Sequence, residues 1–200
     1  MKLSKIAISL ALAAMSTIAT AEVITFDDIT LRDKFEAVAN GYHGFNWDNF
    51  YVTKGSDAPG TGYESGVVST PNVAFNWYAN PASFSSTSAF TLNSGYFAGA
   101  WNDGLTIHVT GVGATTFVKD FVVNTGSVTK VEFNWTGLTS VTFESSGGTP
   151  HPGLSGAGVH FAMDNLSVNA VPEPETYAML LAGLGVMGAV ARRRKANKQA

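Results

Sequence analysis

An all-β fold, an antiparallel β-sandwich of jelly-roll type, is predicted for residues 22–170 by three observations. The segment is rich in Thr, Ser, Val, Phe and Gly and holds few helix formers in succession. Its apolar and polar residues alternate with period two in short runs. Turn residues punctuate those runs at the close spacing that sandwiches need.

The runs come in order. Val23 to Phe26 alternates and opens the domain. Thr30 to Ala39 follows as a helical turn, because Leu31, Phe35 and Val38 fall on one helical face. Tyr42-His43-Gly44 reads as a turn, and the small polar stretch Ser83 to Ser88 as a loop. Alternation returns at Leu105 to Val109, Phe117 to Val123, Val128 to Phe133, Val141 to Phe143 and Val159 to Met163. Asn102-Asp103-Gly104, Asn124-Thr125-Gly126 and Gly147-Gly148-Thr149-Pro150 supply turns between them. Phe-Asn-Trp recurs at 45–47, 75–77 and 133–135, too unevenly for a repeat architecture. On a strand the Phe and Trp of each triplet share a face and the Asn points away. The triplets therefore read as core aromatics, with sugar stacking as the alternative.

Both ends carry targeting chemistry. Lys2 and Lys5 precede an apolar run from Ile6 to Ile18 and the small residues Ala19-Thr20-Ala21, the order of a signal peptide over residues 1–21. At the other end, residues 171–200 hold Pro172-Glu173-Pro174, an uncharged stretch over 176–191 and a basic end over 192–198. Sixteen uncharged residues would span about 24 Å as a helix, against roughly 30 Å of hydrocarbon. Gly183, Gly185 and Gly188 weaken that helix, while snorkelling arginines lengthen its reach. Arg192, Arg193 and Arg194 form a membrane stop that stays on the cytoplasmic side. A plain C-terminal anchor is the simpler reading. The order of proline motif, short span and arginine run resembles the sorting tail of PEP-CTERM proteins. That resemblance implies export, a precursor anchored in the cytoplasmic membrane, and processing near Pro172, Glu173 and Pro174 by the partner enzyme exosortase. It also implies a final place at the cell surface or in the extracellular matrix of a Gram-negative bacterium.

Between the ends lie about 150 residues, the size of one domain. No cysteine is present, so no disulfide staples this fold. Residues 22–170 hold five Lys and Arg against thirteen Asp and Glu, a net of −8. That balance excludes nucleic acid as a partner and suits cations or neutral polymers.

Site candidates are few. Trp101 precedes a turn with Asn102 and Asp103, which places a ring beside hydrogen-bonding groups, and Tyr96 offers a second ring. Tyr78 and Tyr42 are further sugar-stacking candidates. Phe26-Asp27-Asp28 and Phe161-Ala162-Met163-Asp164-Asn165 lie at opposite ends of the domain, where first and last strands of jelly rolls neighbour one another. This pattern resembles galactose-binding-like, jelly-roll carbohydrate-binding modules. The resemblance implies a structural Ca2+ held by Asp27, Asp28 and Asp164, with backbone oxygens completing its shell. Alternatively Asp27 and Asp28 cap a turn and Asp164 faces solvent.

Catalysis finds no motif. The four histidines (43, 108, 151, 160) lack metal-ligand spacing, and neither a nucleophile elbow nor a thiol is present. The expectation is a protein that is not an enzyme. Three readings follow: a surface or matrix protein associating with exopolysaccharide, a structural or adhesive matrix component without a defined ligand, and a small secreted hydrolase.

Overall fold

A computed structural model describes residues 21–170 together with Gly183 and Leu184. The expected signal peptide up to residue 20, the proline motif, the membrane stop at Arg192, Arg193 and Arg194 and most of the apolar span fall outside the described residues. Within them the chain forms β1 (Glu22–Ile24), β2 (Glu36–Ala37), β3 (Asn46–Asp48), β4 (Phe50–Lys54), α1 (Gly62–Ser65), β5 (Asn72–Asn76), β6 (Ala82–Gly99), β7 (Asn102–Gly113), β8 (Thr116–Val123), β9 (Thr129–Pro150) and β10 (Phe161–Ala170). All the pairings are antiparallel.

The strands run β2-β4-β5-β10-β6-β9-β7-β8 in one hydrogen-bonded path, with β1 added to β10 and β3 to β6. Two long strands make a sandwich of this path. The C-terminal half of β6 pairs with β10 and with the start of β9, whereas its first residues pair with β3 and with β9 near Val141. The second half of β9 pairs with β7. Register shifts between Ser85 and Ser94 of β6 mark where the pairing changes, as bulges bend strands from one layer into another. The inner faces then meet ring to ring. Phe143 contacts Phe50, Phe97 and Phe161 at centroid distances of 5.8–6.0 Å. Phe26, Phe84, Phe90, Leu92, Leu105, Ile107 and Leu138 fill the remaining space, each at most 1% exposed. Burying each such side chain contributes about 1.5–3 kcal/mol, which is how a fold without disulfides is held.

The expected β-sandwich is present, and several of its elements differ from the sequence reading. β7 and β8 take in the alternating runs that pointed to them, and β10 takes in Phe161 to Met163 of the run Val159 to Met163. All of Val128 to Phe133 but Val128 itself, and Val141 to Phe143, belong to one strand, β9, in which Leu138 continues the buried face between them. Ser83 to Ser88 is strand and not loop: its polar side chains face outward while Phe84 is fully buried. Thr30 to Ala39 forms no helix. Val38 instead hydrogen-bonds Phe50, β2 pairs with β4, and Phe35 stays 43% exposed. Residues 102–104 and 147–150 are strand ends that pair with each other, while 124–126 do form a turn.

Two of the three Phe-Asn-Trp triplets behave as strand geometry demands. Phe45 and Trp47 are buried with Asn46 exposed, and Phe133 and Trp135 with Asn134 exposed. The third inverts: Asn76 is fully buried and Trp77 half-buried, because the chain leaves β5 into a 3-10 turn over Trp77–Ala79.

Candidate functional site: an aromatic cleft

That 3-10 turn builds the wall of a cleft. Asn76 fastens its start: Nδ2 donates to the Asn80 carbonyl at 3.1 Å, and Oδ1 accepts from the Phe161 N–H at 2.9 Å. Asn49 fastens the rest, its Nδ2 donating to the carbonyls of Trp77 (3.0 Å), Pro81 (3.0 Å) and Asn80 (3.3 Å). Asn49, Tyr78 and Ala79 all have φ near +55°, a left-handed conformation that costs a non-glycine residue energy and persists only where surroundings enforce it. The result is a tyrosine held outward, 73% exposed.

Around it the fold gathers other rings. Trp77 stacks on Tyr51 of β4 at 4.3 Å, and Phe35 meets Phe75 and Trp77 edge-on, each at 5.5 Å. Tyr63, on α1, packs edge-on to Trp101 at 5.6 Å. Phe35, Tyr63, Phe75, Trp77, Tyr78, Trp101, Gly156, Ala157 and His160 line a cleft of about 320 Å3. Gly156 is required there, since a Cβ at that position would sit inside the Trp101 ring. Burial pushes the Tyr63 phenol up and the His160 imidazole down, so both are neutral at pH 7.

Of the sequence candidates, the cleft brings together Trp101 and Tyr78. Trp101 is half-buried, with one face against Gly156, and acts as a wall. Asn102 is 6% exposed and donates to the Gly147 carbonyl at 3.1 Å. Asp103 accepts from the Thr125 N–H at 2.9 Å and pairs with His151 at 2.7 Å; the Thr125 bond, then His151, holds its carboxyl below the usual range. Both brace the β7 end. Tyr96 lies on β6, opposite Asp164 and Lys130, with the Lys130 ammonium 6.0 Å from its ring. Tyr42 packs against Phe26 and Trp47 and donates to Asp28 at 2.6 Å; burial and Asp28 push its phenol up. Neither lines the cleft. Trp77 was open to sugar stacking only as the alternative for the Phe-Asn-Trp triplets, and Phe35, Tyr63, Phe75 and His160 were not selected from sequence, because their neighbourhood depends on where the 3-10 turn and the β9–β10 loop fold.

The acidic trio divides. Asp164 is fully buried, accepting from the N–H groups of Val68 (2.6 Å), Ser69 (2.8 Å) and Asn165 (2.6 Å). Burial, with Asp27 adding to it, pushes its carboxyl up to about 6 against the pull of those donors. Asp27 accepts from the Asn72 N–H at 2.9 Å, and Asp28 turns to Tyr42. β1 and β10 do pair, as neighbouring first and last strands should. Among the described residues, no three His, Cys, Asp or Glu side chains gather where they could hold one metal ion.

Histidine–carboxylate contacts occur at His43–Glu22, His108–Asp120 and His151–Asp103, all away from the cleft. Among the described residues no helix is long and apolar enough to cross a membrane.

The described residues form a β-sandwich with an aromatic cleft, and comparison with known proteins adds where the chain travels. Residues 170–195 match the model of the PEP-CTERM protein-sorting motif. Such a motif implies an exported protein, held in the membrane before exosortase processes it. No curated protein is matched by the sequence. Among solved structures, a DUF4465 family protein from Bacteroides ovatus is similar at 9% identity and a TM-score of 0.42, over 74% of this chain and 93% of that one. TmCBM61, solved with β-1,4-galactotriose, is similar at 12% identity and a TM-score of 0.34, over 67% and 94%.

Proposed function

We propose that the protein is exported through a signal peptide over residues 1–21, sorted by its tail to the surface or matrix of a Gram-negative bacterium, and binds exopolysaccharide in the aromatic cleft. One observation carries the binding reading: six aromatic rings line a single recess, and the most exposed of them is held outward by strained backbone. Sugars pack apolar C–H faces on such rings and place hydroxyls against polar groups at the edges. Strain is retained where geometry has to be preset. Binding without catalysis is part of this proposal.

The test is retention of wild type and Tyr78→Ala in gels containing the organism's own exopolysaccharide. The variant is expected to lose about tenfold in affinity, since one stacked ring is worth on the order of 1 kcal/mol or more, and to keep its melting temperature. Equal retention of the two proteins would favour a purely adhesive matrix role.

A structural calcium ion between the ends of the domain belongs to the same proposal. One orphaned atom supports it: Asn72 Oδ1 is buried without a hydrogen-bond partner, beside the Asp27 carboxylate that its own N–H bonds. Asp27, Asn72 and Asp164 would hold the ion, and carbonyl oxygens would complete the six to eight that calcium takes. Bound there, calcium supplies positive charge between two carboxylates that otherwise oppose each other.

A further inference from the structure

Resting on the carbohydrate reading above, we infer that the cleft takes an uncharged sugar segment and that His160, as the Nε2–H tautomer, donates the hydrogen bond that orients it.

The lining shows no Asp, Glu, Lys or Arg. A uronate or sulfated sugar would need a cation to replace the hydration its charge loses on entering an apolar recess, and an amino sugar in its charged form would need a carboxylate. Neither is at hand. The domain's charge adds to this selection: at a net of −8 over residues 22–170, a polyanion is repelled before it reaches the cleft.

His160 supplies what the rings lack. Its Nδ1 is buried and has no partner, and it lies beneath Gly158, where an added Cβ would be 3.0 Å from it. A buried donor left unmade is costlier than a buried lone pair, so the proton sits on the other nitrogen. The ring is half-buried overall, and with Nδ1 enclosed the Nε2 side is what reaches the cleft. Burial also disfavours the imidazolium. A neutral ring with Nε2–H is therefore presented among apolar walls, where a hydrogen bond to a sugar hydroxyl or ring oxygen is not diluted by water. The backbone that carries the ring is held in place, because the Ala100 N–H donates to the His160 carbonyl at 2.9 Å and β10 begins at the next residue.

The experiment uses affinity electrophoresis of the full 22–170 domain against galactomannan and barley β-glucan as neutral probes, and alginate and polygalacturonate as acidic ones. Wild type should be retarded by at least one neutral polymer and by neither acidic one. His160→Ala should lose about fivefold to tenfold in affinity, the worth of one hydrogen bond, with its melting temperature kept. His160→Gln, whose amide can donate from nearly the same place, should restore most of the binding. Retardation by alginate or polygalacturonate that Tyr78→Ala abolishes would overturn the uncharged ligand while leaving a carbohydrate cleft. Unchanged binding by His160→Ala would overturn the histidine's part. Binding that survives Tyr78→Ala would overturn the cleft as the site, and binding to none of the polymers would overturn the carbohydrate reading itself, each taking this inference with it.

Discussion

At the scale of single residues, two polar side chains decide more than their size suggests. Asn49 ties three carbonyls of the 77–81 turn with one amide group, and it occupies a left-handed conformation that asparagine tolerates better than most residues. Asn49→Ala should cost about 1–3 kcal/mol, seen as a melting temperature lower by several degrees, and should weaken polysaccharide retention as well. Tyr78→Ala separates the two effects by losing retention alone. Asp164 makes a different prediction. Its carboxyl titrates near 6 in the folded state and near 4 in the unfolded chain, so the folded state binds the proton more tightly between those values. In chelator, the contribution of Asp164 to stability is therefore fullest below about pH 4 and is lost as pH rises toward about 6, read as the difference between wild type and Asp164→Asn. Denaturation midpoints at stepped pH should trace that decline. Asp164→Asn, which cannot ionise, should flatten it.

Elements explain which parts of the fold were legible beforehand. β7 and β8 could be read because each buries one face, and Leu105, Ile107 and Val109 alternate cleanly with polar neighbours. β5 could not, since Asn72 to Asn76 are buried on both faces and show no alternation. Nor could Ser83 to Ser88, where long-range pairing with β9 and β3 overrides a loop-like composition. The cleft was legible only at Trp101 and Tyr78. Its other walls come from α1, the β9–β10 loop and a 3-10 turn, which meet through tertiary contacts that local pattern does not encode. The pairing of β1 with β10 bears on the calcium proposal: an ion at Asp27, Asn72 and Asp164 joins the segment after β1, the start of β5 and the middle of β10. Calcium ligands must be deprotonated, so the rise in melting temperature with calcium should be present near pH 7.5 and gone near pH 5. Extracellular sites bind on the order of 10⁻⁴–10⁻³ M, which sets millimolar calcium for the titration. Coincident melting curves with calcium and chelator at pH 7.5 would remove the ion from the proposal.

For the whole molecule, charge and apolarity are partitioned along the chain in a way that matches its route. Seven of its twelve Lys and Arg lie in residues 1–21 and 171–200, and the domain between them is acidic. Basic residues stay on the cytoplasmic side of a membrane, so this charge pattern agrees with the export that the sorting motif implies. The tail then has to be recognised where it emerges. A proline restricts its own φ and disfavours helix at the residue before it, so the sequence Pro172-Glu173-Pro174 favours the extended backbone that a processing enzyme's cleft can accept. The matched motif spans this point and the basic end together, residues 170–195. Replacing Pro172, Glu173 and Pro174 by alanine leaves the apolar span and Arg192 to Arg194 untouched, so insertion should proceed and only processing should fail. The expected result is a longer, membrane-bound precursor that accumulates on immunoblots of fractionated cells, with the β-sandwich still folded by limited proteolysis. Release of the triple variant with the same C-terminus as wild type, read by mass spectrometry, would show that the proline motif is not the processing signal.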